Sequence, residues 1–224
     1  MLFRSRIIAV DGKVTGGDGN KFKLAQSFDK SKILVYYRKK PESRNDKINK
    51  DVIGLYSFDK DLNKLWGKDV EMPYTEARMD NIDYAIDGKG NVLILTEVLK
   101  EGETRKYSRD DEPNFTYQLV VVSESGVDVN ASDVDVNGKY VTQVNFYEGK
   151  DDALLLAGFY GNKRGRQVDG LFYCSVSSDG KQTGFKTYEI PTDVIKQFMS
   201  QRAQDRMEKK EDKGKDIRSE EPHV

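Results

Sequence analysis

Three stretches of the chain repeat one plan, an apolar run, a short polar turn and a second run of strand-forming residues. They are 52–74 (VIGLYSFDKDLNKLWGKDVEMPY), 117–136 (YQLVVVSESGVDVNASDVDV) and 170–191 (GLFYCSVSSDGKQTGFKTYEIP). Ahead of each hairpin stands another apolar run, 33–37 (ILVYY), 92–95 (VLIL) and 153–157 (ALLLA), roughly 60 residues apart. Before each of those lies a candidate first strand, 21–28, 81–86 and 140–147. The repeating unit is therefore four strands, and the units run over about 21–74, 81–136 and 140–191. A unit of this size cannot bury its own faces, so neighbouring units must stack.

Strand is the better assignment than helix because the runs are short, rich in Val, Ile, Leu and Tyr, and bounded by turn chemistry. The punctuation includes Asp11-Gly12, Asp87-Gly88-Lys89-Gly90-Asn91, Asn137-Gly138 and Asp179-Gly180, residues that accept the positive φ of hairpin turns. The second and third strands are apolar on consecutive residues, as in LVVV at 119–122. Both faces of those strands are expected to be covered, as in a sheet held between two others.

The Ser57-x-Asp59 turn leading to Trp66, the second strand GNVLIL (90–95) and the period together resemble the repeats of β-propeller proteins. The resemblance is in particular to the uncharacterised envelope-associated propellers of Bacteroidota. It spans residues 21–191 and carries neither a WD dipeptide nor a kelch glycine pair. It implies an all-β chain whose residues 1–191 form three four-stranded antiparallel propeller-like blades, and a periplasmic or envelope location. Propellers close with about four to eight blades, and here three are joined only by the strand-like segment 7–14. An open arc is expected, either part of a larger ring or one that missing blades or a second copy would complete, since open sheet faces and edges invite pairing.

Composition narrows the function classes. Lys+Arg 37 against Asp+Glu 38 leaves a net charge of -1, without the basic surplus of a duplex-binding domain, so no nucleic-acid partner is expected. The single cysteine, Cys174, cannot form an internal disulfide and stands between Phe172 and Val176 as a small core residue. No stretch approaches the roughly 20 apolar residues of a membrane span, and the run 7–10 is too short for a signal core. After Pro191 the period changes: Thr192 suits an N-cap, and Val194, Ile195, Phe198, Met199, Ala203 and Met207 recur at helical spacing. This predicts an amphipathic helix over 192–213 and a disordered, charged tail over 214–224.

The only histidine, His223, lies in that tail, so histidine-based triads and zinc sites have no candidate in the folded part. Carboxylate chemistry stays open through Asp80, Asp83, Asp87, Asp110, Asp111, Glu112, Asp133 and Asp135. Most of them adjoin Gly, Asn or Ser, where a short acid serves its own turn. Asp133-x-Asp135-x-Asn137-Gly138 looks like the opening of a calcium loop, but Val144 holds the position that needs a bidentate acid, which favours a hairpin. Gly16-Gly17-Asp18-Gly19-Asn20 lacks the Lys-Ser/Thr of a phosphate loop. No metal or cofactor is expected.

The connections between second and third strands share one rim and are long: 38–51, 99–116 and 161–168. The first and third are basic through Arg38, Lys39, Lys40, Arg44, Lys47, Lys50, Lys163, Arg164 and Arg166, while the middle one holds Tyr107 and Phe115. Variable loops on a rigid rim suit binding. The leading expectation is a non-enzymatic binding or scaffold module for an anionic or protein partner, centred on Arg38, Lys39, Lys40, Arg44, Lys163, Arg164 and Arg166. The alternatives are a carbohydrate-active or other carboxylate enzyme, using Asp83 and Asp110, and a purely structural segment of a larger propeller.

Overall fold

A computed structural model describes residues 10–17, 21–41, 43, 45–108, 113–125, 132–133, 140–148, 154–161, 168–197, 200–202, 204–205 and 209. The architecture is all-β, with three antiparallel sheets formed in chain order. The first contains β1 (Lys23–Gln26), β2 (Lys32–Arg38), β3 (Lys50–Asp59) and β4 (Lys64–Thr75). The second contains β5 (Met79–Ile86), β6 (Val92–Leu99) and β7 (Phe115–Val122), with a two-residue β8 (Ser132–Asp133) at its edge. The third contains β9 (Tyr140–Glu148), β10 (Leu154–Gly161), β11 (Gly170–Val176) and β12 (Gln182–Glu189). Each sheet pairs its strands antiparallel in sequence order.

The sheets stack through two apolar cores. Leu34, Ile53, Leu55, Trp66, Val70 and Met72 of the first sheet meet Ile86, Val92, Ile94, Val98, Val120 and Val122 of the second. The opposite face of the second sheet, with Leu93, Leu95, Leu119 and Val121, meets Val144, Leu156, Phe172, Cys174 and Val176 of the third. Alternation along one strand thus feeds two interfaces, and the consecutive apolar residues of β6 and β7 are buried as expected. Cys174 sits in the second core, where burial pushes its thiol up to about 11. The leading strands converge, with β5 lying against both β1 and β9.

The expected cover on both faces fails at the third sheet. Phe159, Leu171, Tyr147 and Tyr188 point away from the core and remain 38–52% exposed. The physical reason is position: this sheet is last in the stack, and no described element lies over it. At the other end, Tyr37, Tyr56 and Phe58 of the first sheet are buried, with Val10 and Val14 packed against them. Of the strand-like segment noted at 7–14, residues 10–14 are described, and Val14 bridges Lys39 so that it lies beside the end of β2.

Three tyrosines lie across glycines of the neighbouring strand, Tyr37 opposite Gly54, Tyr56 opposite Gly67 and Tyr160 opposite Gly170. A Cβ on Gly54 would stand 2.1 Å from the Tyr37 ring, and one on Gly67 2.4 Å from that of Tyr56. The rings occupy the space the glycines leave, which restores the packing a strand glycine gives up.

One rim carries tight turns that satisfy themselves. Asp59 accepts from the amides of Asp61 and Asn63 and from Asn63 Nδ2, and Asp87 accepts the same set from Lys89 and Asn91. Ser27 with Asp29, and Ser177 with Asp179, form a related pair of turns. Hydrogen bonds from Ser27 and Ser31 hold the Asp29 carboxyl at about 2. All four turns put their fourth residue in the left-handed region, at Lys30 (φ 58), Leu62 (φ 64), Gly90 (φ 89) and Gly180 (φ 79). A side chain there costs about 1–2 kcal/mol. Leu62, which is exposed, gains nothing in return. Leu62→Gly is therefore expected to stabilise by about 0.5–1 kcal/mol after the entropy of glycine is set against the strain. A lower denaturant midpoint than the parent's would refute this.

The amphipathic helix expected over 192–213 is not formed as one element. The helix α1 (Thr192–Gln197) has six residues and Ser200 is not helical, while residues 201–202, 204–205 and 209 are helical again. So short a helix depends on tertiary packing, and Val194 stays 37% exposed. The disordered tail expected over 214–224, with His223, lies outside the described residues.

Candidate functional site

The long-loop rim of the first sheet is built by two chain segments that pair only in the folded state. The Thr15 amide donates to Arg38 O (2.9 Å) and the Lys40 amide donates to Lys13 O (2.7 Å), so the segment around Val14 lies beside the end of β2. The pairing brings Lys13 to the side of Lys39 and Lys40. With Lys50 at the start of β3, these residues line a groove of about 770 Å³ that also touches Asp11, Ile48 and Glu71. Two of the four ammonium groups are neutralised locally: Lys39 Nζ lies 3.0 Å from Asp69, and Lys50 Nζ 3.3 Å from Glu71. Asp69 also accepts from the Tyr37 hydroxyl at 3.0 Å, which fixes its orientation. Lys13 and Lys40 are exposed and make no ion pair among the described residues.

Arg38 turns the other way. It is the last residue of β2, and its guanidinium enters the junction between the first and second sheets. Nε donates to Asp51, and an Nη lies 3.2 Å from Glu76 as an ion pair. Both carboxylate side chains are only 10% exposed. Asn81 of the second sheet donates to the other oxygen of Asp51 (2.9 Å), so Asp51 ties the two sheets together. Beside this cluster Tyr36 and Tyr84 stack at 4.2 Å, one from each sheet. Burial raises the Glu76 carboxyl above its ordinary range and nearby Asp51 adds to this, outweighing the opposing pull of Arg38. A cavity of about 320 Å³ opens over these groups.

The basic residues singled out in the sequence therefore divide. Lys39 and Lys40 line the groove, Arg38 serves the sheet junction, and Arg44, Lys163, Arg164 and Arg166 lie outside the described residues. Lys50 joins the groove as a strand residue, and Lys13 is added to it. No local feature of the sequence marks Lys13, because its place depends on pairing with a strand more than 20 residues later.

The carboxylates are engaged in structure where they are described. Asp83 Oδ2 accepts from the Phe146 amide (2.9 Å), which joins the second sheet to the third, while its Oδ1 accepts from the Tyr84 amide (2.8 Å). Lys106 lies between Asp80 (2.9 Å) and Glu97 (2.7 Å), and Asp87 serves its own turn. Asp110, Asp111, Glu112, Asp135, Asn137 and Gly138 lie outside the described residues, and Asp133 is placed only as a strand position in β8. Tyr107 and Phe115 of the middle loop pack edge to face at 5.6 Å, and Phe115 is buried. Among the described residues no group of three or more His, Cys, Asp or Glu could hold a metal ion. No described helix is long and apolar enough to cross a membrane.

A scan against protein-family models finds no match for the chain, and a search of curated proteins finds none either.

Proposed function

We propose that the chain is a non-enzymatic binding or scaffold module, an open arc of three propeller-like blades that takes an anionic partner on its long-loop rim. The observation that carries this reading is the contrast between the two rims. One rim ends in short turns whose carboxylates are consumed by their own backbone amides. The other holds a groove edged by Lys13, Lys39, Lys40 and Lys50, two of them unpaired among the described residues. An ammonium left without a carboxylate on a rigid sheet edge is a ready contact for a phosphate, sulfate or acidic side chain. Three stacked four-stranded meanders with converging leading strands support the propeller-like reading. The engagement of Asp80, Asp83 and Asp87 in structural contacts leaves the carboxylate-enzyme alternative without a free acid at those positions.

The test uses a sulfated oligosaccharide and a poly-glutamate peptide as anionic probes, titrated at low salt. The double variant Lys13→Glu, Lys40→Glu is expected to lose about tenfold or more in affinity, equivalent to about 1.4 kcal/mol. Its melting temperature should stay near the parent's, because both side chains are exposed. Parent and variant binding equally well, or a parent that binds neither probe, would overturn the assignment.

A further inference from the structure

We propose that the outer face of the third sheet is a self-association surface, occupied by the same face of a second copy of this chain. The inference rests on the open-arc reading proposed above and names the partner at one end of that arc. Leu155, Ala157 and Phe159 of β10 alternate with the core-facing Leu156, and Leu171 and Tyr173 of β11 alternate with Phe172 and Cys174. Register sets Phe159 opposite Leu171, Leu171 opposite Tyr188, and Leu155 opposite Tyr147, so the outward residues form one continuous patch.

The stacking inside the chain shows what such a patch does. Leu93, Leu95, Leu119 and Val121 hold the corresponding outward positions of the second sheet, and there they are covered by the third. The outer face of the third sheet continues that interface with its cover removed. Strands about 4.8 Å apart that rise about 3.3 Å per residue give a four-stranded face of about 500 Å². The largest apolar patch of a typical monomer is about 300–600 Å² and is often functional.

Two observations favour a second copy, face to face. Among the outward residues that the register places on this face the one charged side chain is Lys186, on the edge strand and 6.0 Å above the Tyr173 ring, so two such faces bring little like charge together. The opposite end of the arc is partly covered: Tyr37, Tyr56 and Phe58 are at most 8% exposed with Val10 and Val14 packed against them, while Phe22 and Leu24 on the same face stay 47% and 72% exposed. A contact between this face and the same face of a second copy is isologous, so it closes at two. Two faces of this size bury about 1,000 Å², at the lower limit for a specific interface, so dimerisation should be reversible in the micromolar range.

Sedimentation velocity on the full chain from 1 to 200 µM (~two decades, spanning that expected range) tests the proposal. The expected result is a shift with concentration from 25.5 kDa to twice that mass. Leu171→Glu should be a monomer at every concentration, and Tyr188→Ser should weaken association at least fivefold with a milder change at an exposed position. A parent that is monomeric throughout, or a folded Leu171→Glu variant that still dimerises, would overturn the proposal, as would a dimer that Tyr188→Ser leaves unchanged. Small-angle scattering on the monomeric variant measures the length of the stacked arc directly. A failed arc and a failed dimer therefore give separate signatures, and the anionic-probe titration is untouched by either variant.

Discussion

Trp66→Ala is expected to lower stability by about 3–5 kcal/mol, the range for removing a buried aromatic ring. Trp66 is 8% exposed in the core between the first and second sheets, and its Nε1 donates to Gly90 O (3.0 Å) on the neighbouring sheet. Its loss opens a cavity and leaves a carbonyl without a donor. Trp66→Phe separates the two effects, because it keeps most of the apolar surface and should cost about 1–3 kcal/mol for the orphaned acceptor. At about 2–4 °C per kcal/mol for a chain of this length, the alanine variant should melt about 6–20 °C below the parent. Far-UV circular dichroism is the suitable probe, since the variant has no tryptophan left to report. In the parent, the fluorescence of that single residue reports on the first interface alone. A loss below about 1 kcal/mol would mean that the two sheets do not share this core.

Arg38→Met should be nearly as damaging, and its effect should depend on pH. The substitution leaves Asp51 and Glu76, each 10% exposed, facing one another with no guanidinium between them. Removing one partner of a fully buried pair costs about 3–5 kcal/mol. Because Arg38 itself is 42% exposed, about 2–3 kcal/mol is the expectation here. The sign of the pH effect follows from Glu76, whose folded carboxyl already lies above its ordinary 4.5 through burial and loses its main counterweight in the variant. Where the folded state holds a proton that the unfolded state has released, stability falls as pH rises. The variant's deficit should accordingly be largest at neutral pH and shrink as pH falls through 5 toward 4.5. Denaturant melts at pH 7 and pH 4.5 check this, and a deficit that is equal at both values would show that the two acids do not interact through Arg38. The same experiment separates Arg38 from the lysines of the groove, whose replacement should alter binding and leave stability alone.

Most of the strand plan was legible from the residues alone. Runs such as 33–37, 92–95 and 170–176, and the turns at 59–63 and 87–91, depend on interactions within a few positions: side-chain alternation, apolar content and carboxylates that bond their own backbone. The helix over 192–213 was the weaker inference for a related reason. Helical periodicity shows which face could be buried but not whether the helix runs unbroken, and Ser200 interrupts it between α1 and the helical residues 201–202, 204–205 and 209.

Residues whose roles depend on partners far along the chain could not be assigned that way. Asp83 finds its partner 63 positions later, at the Phe146 amide, so its neighbours in sequence suggest only a turn or a catalytic acid. Arg38 and Lys39 are adjacent and look alike, yet a strand sends successive side chains to opposite faces, one into the sheet junction and one to the outer groove. The sequence by itself determined that the chain is β-structured, where its strands and tight turns lie, and that they come in three units. Only the tertiary structure decided which cations remain unpaired, which acids serve as sheet-to-sheet ties, and which face of the stack is left open. Strand and turn propensity act over a few residues, whereas pairing and cover are set by surfaces that meet only once the sheets have stacked.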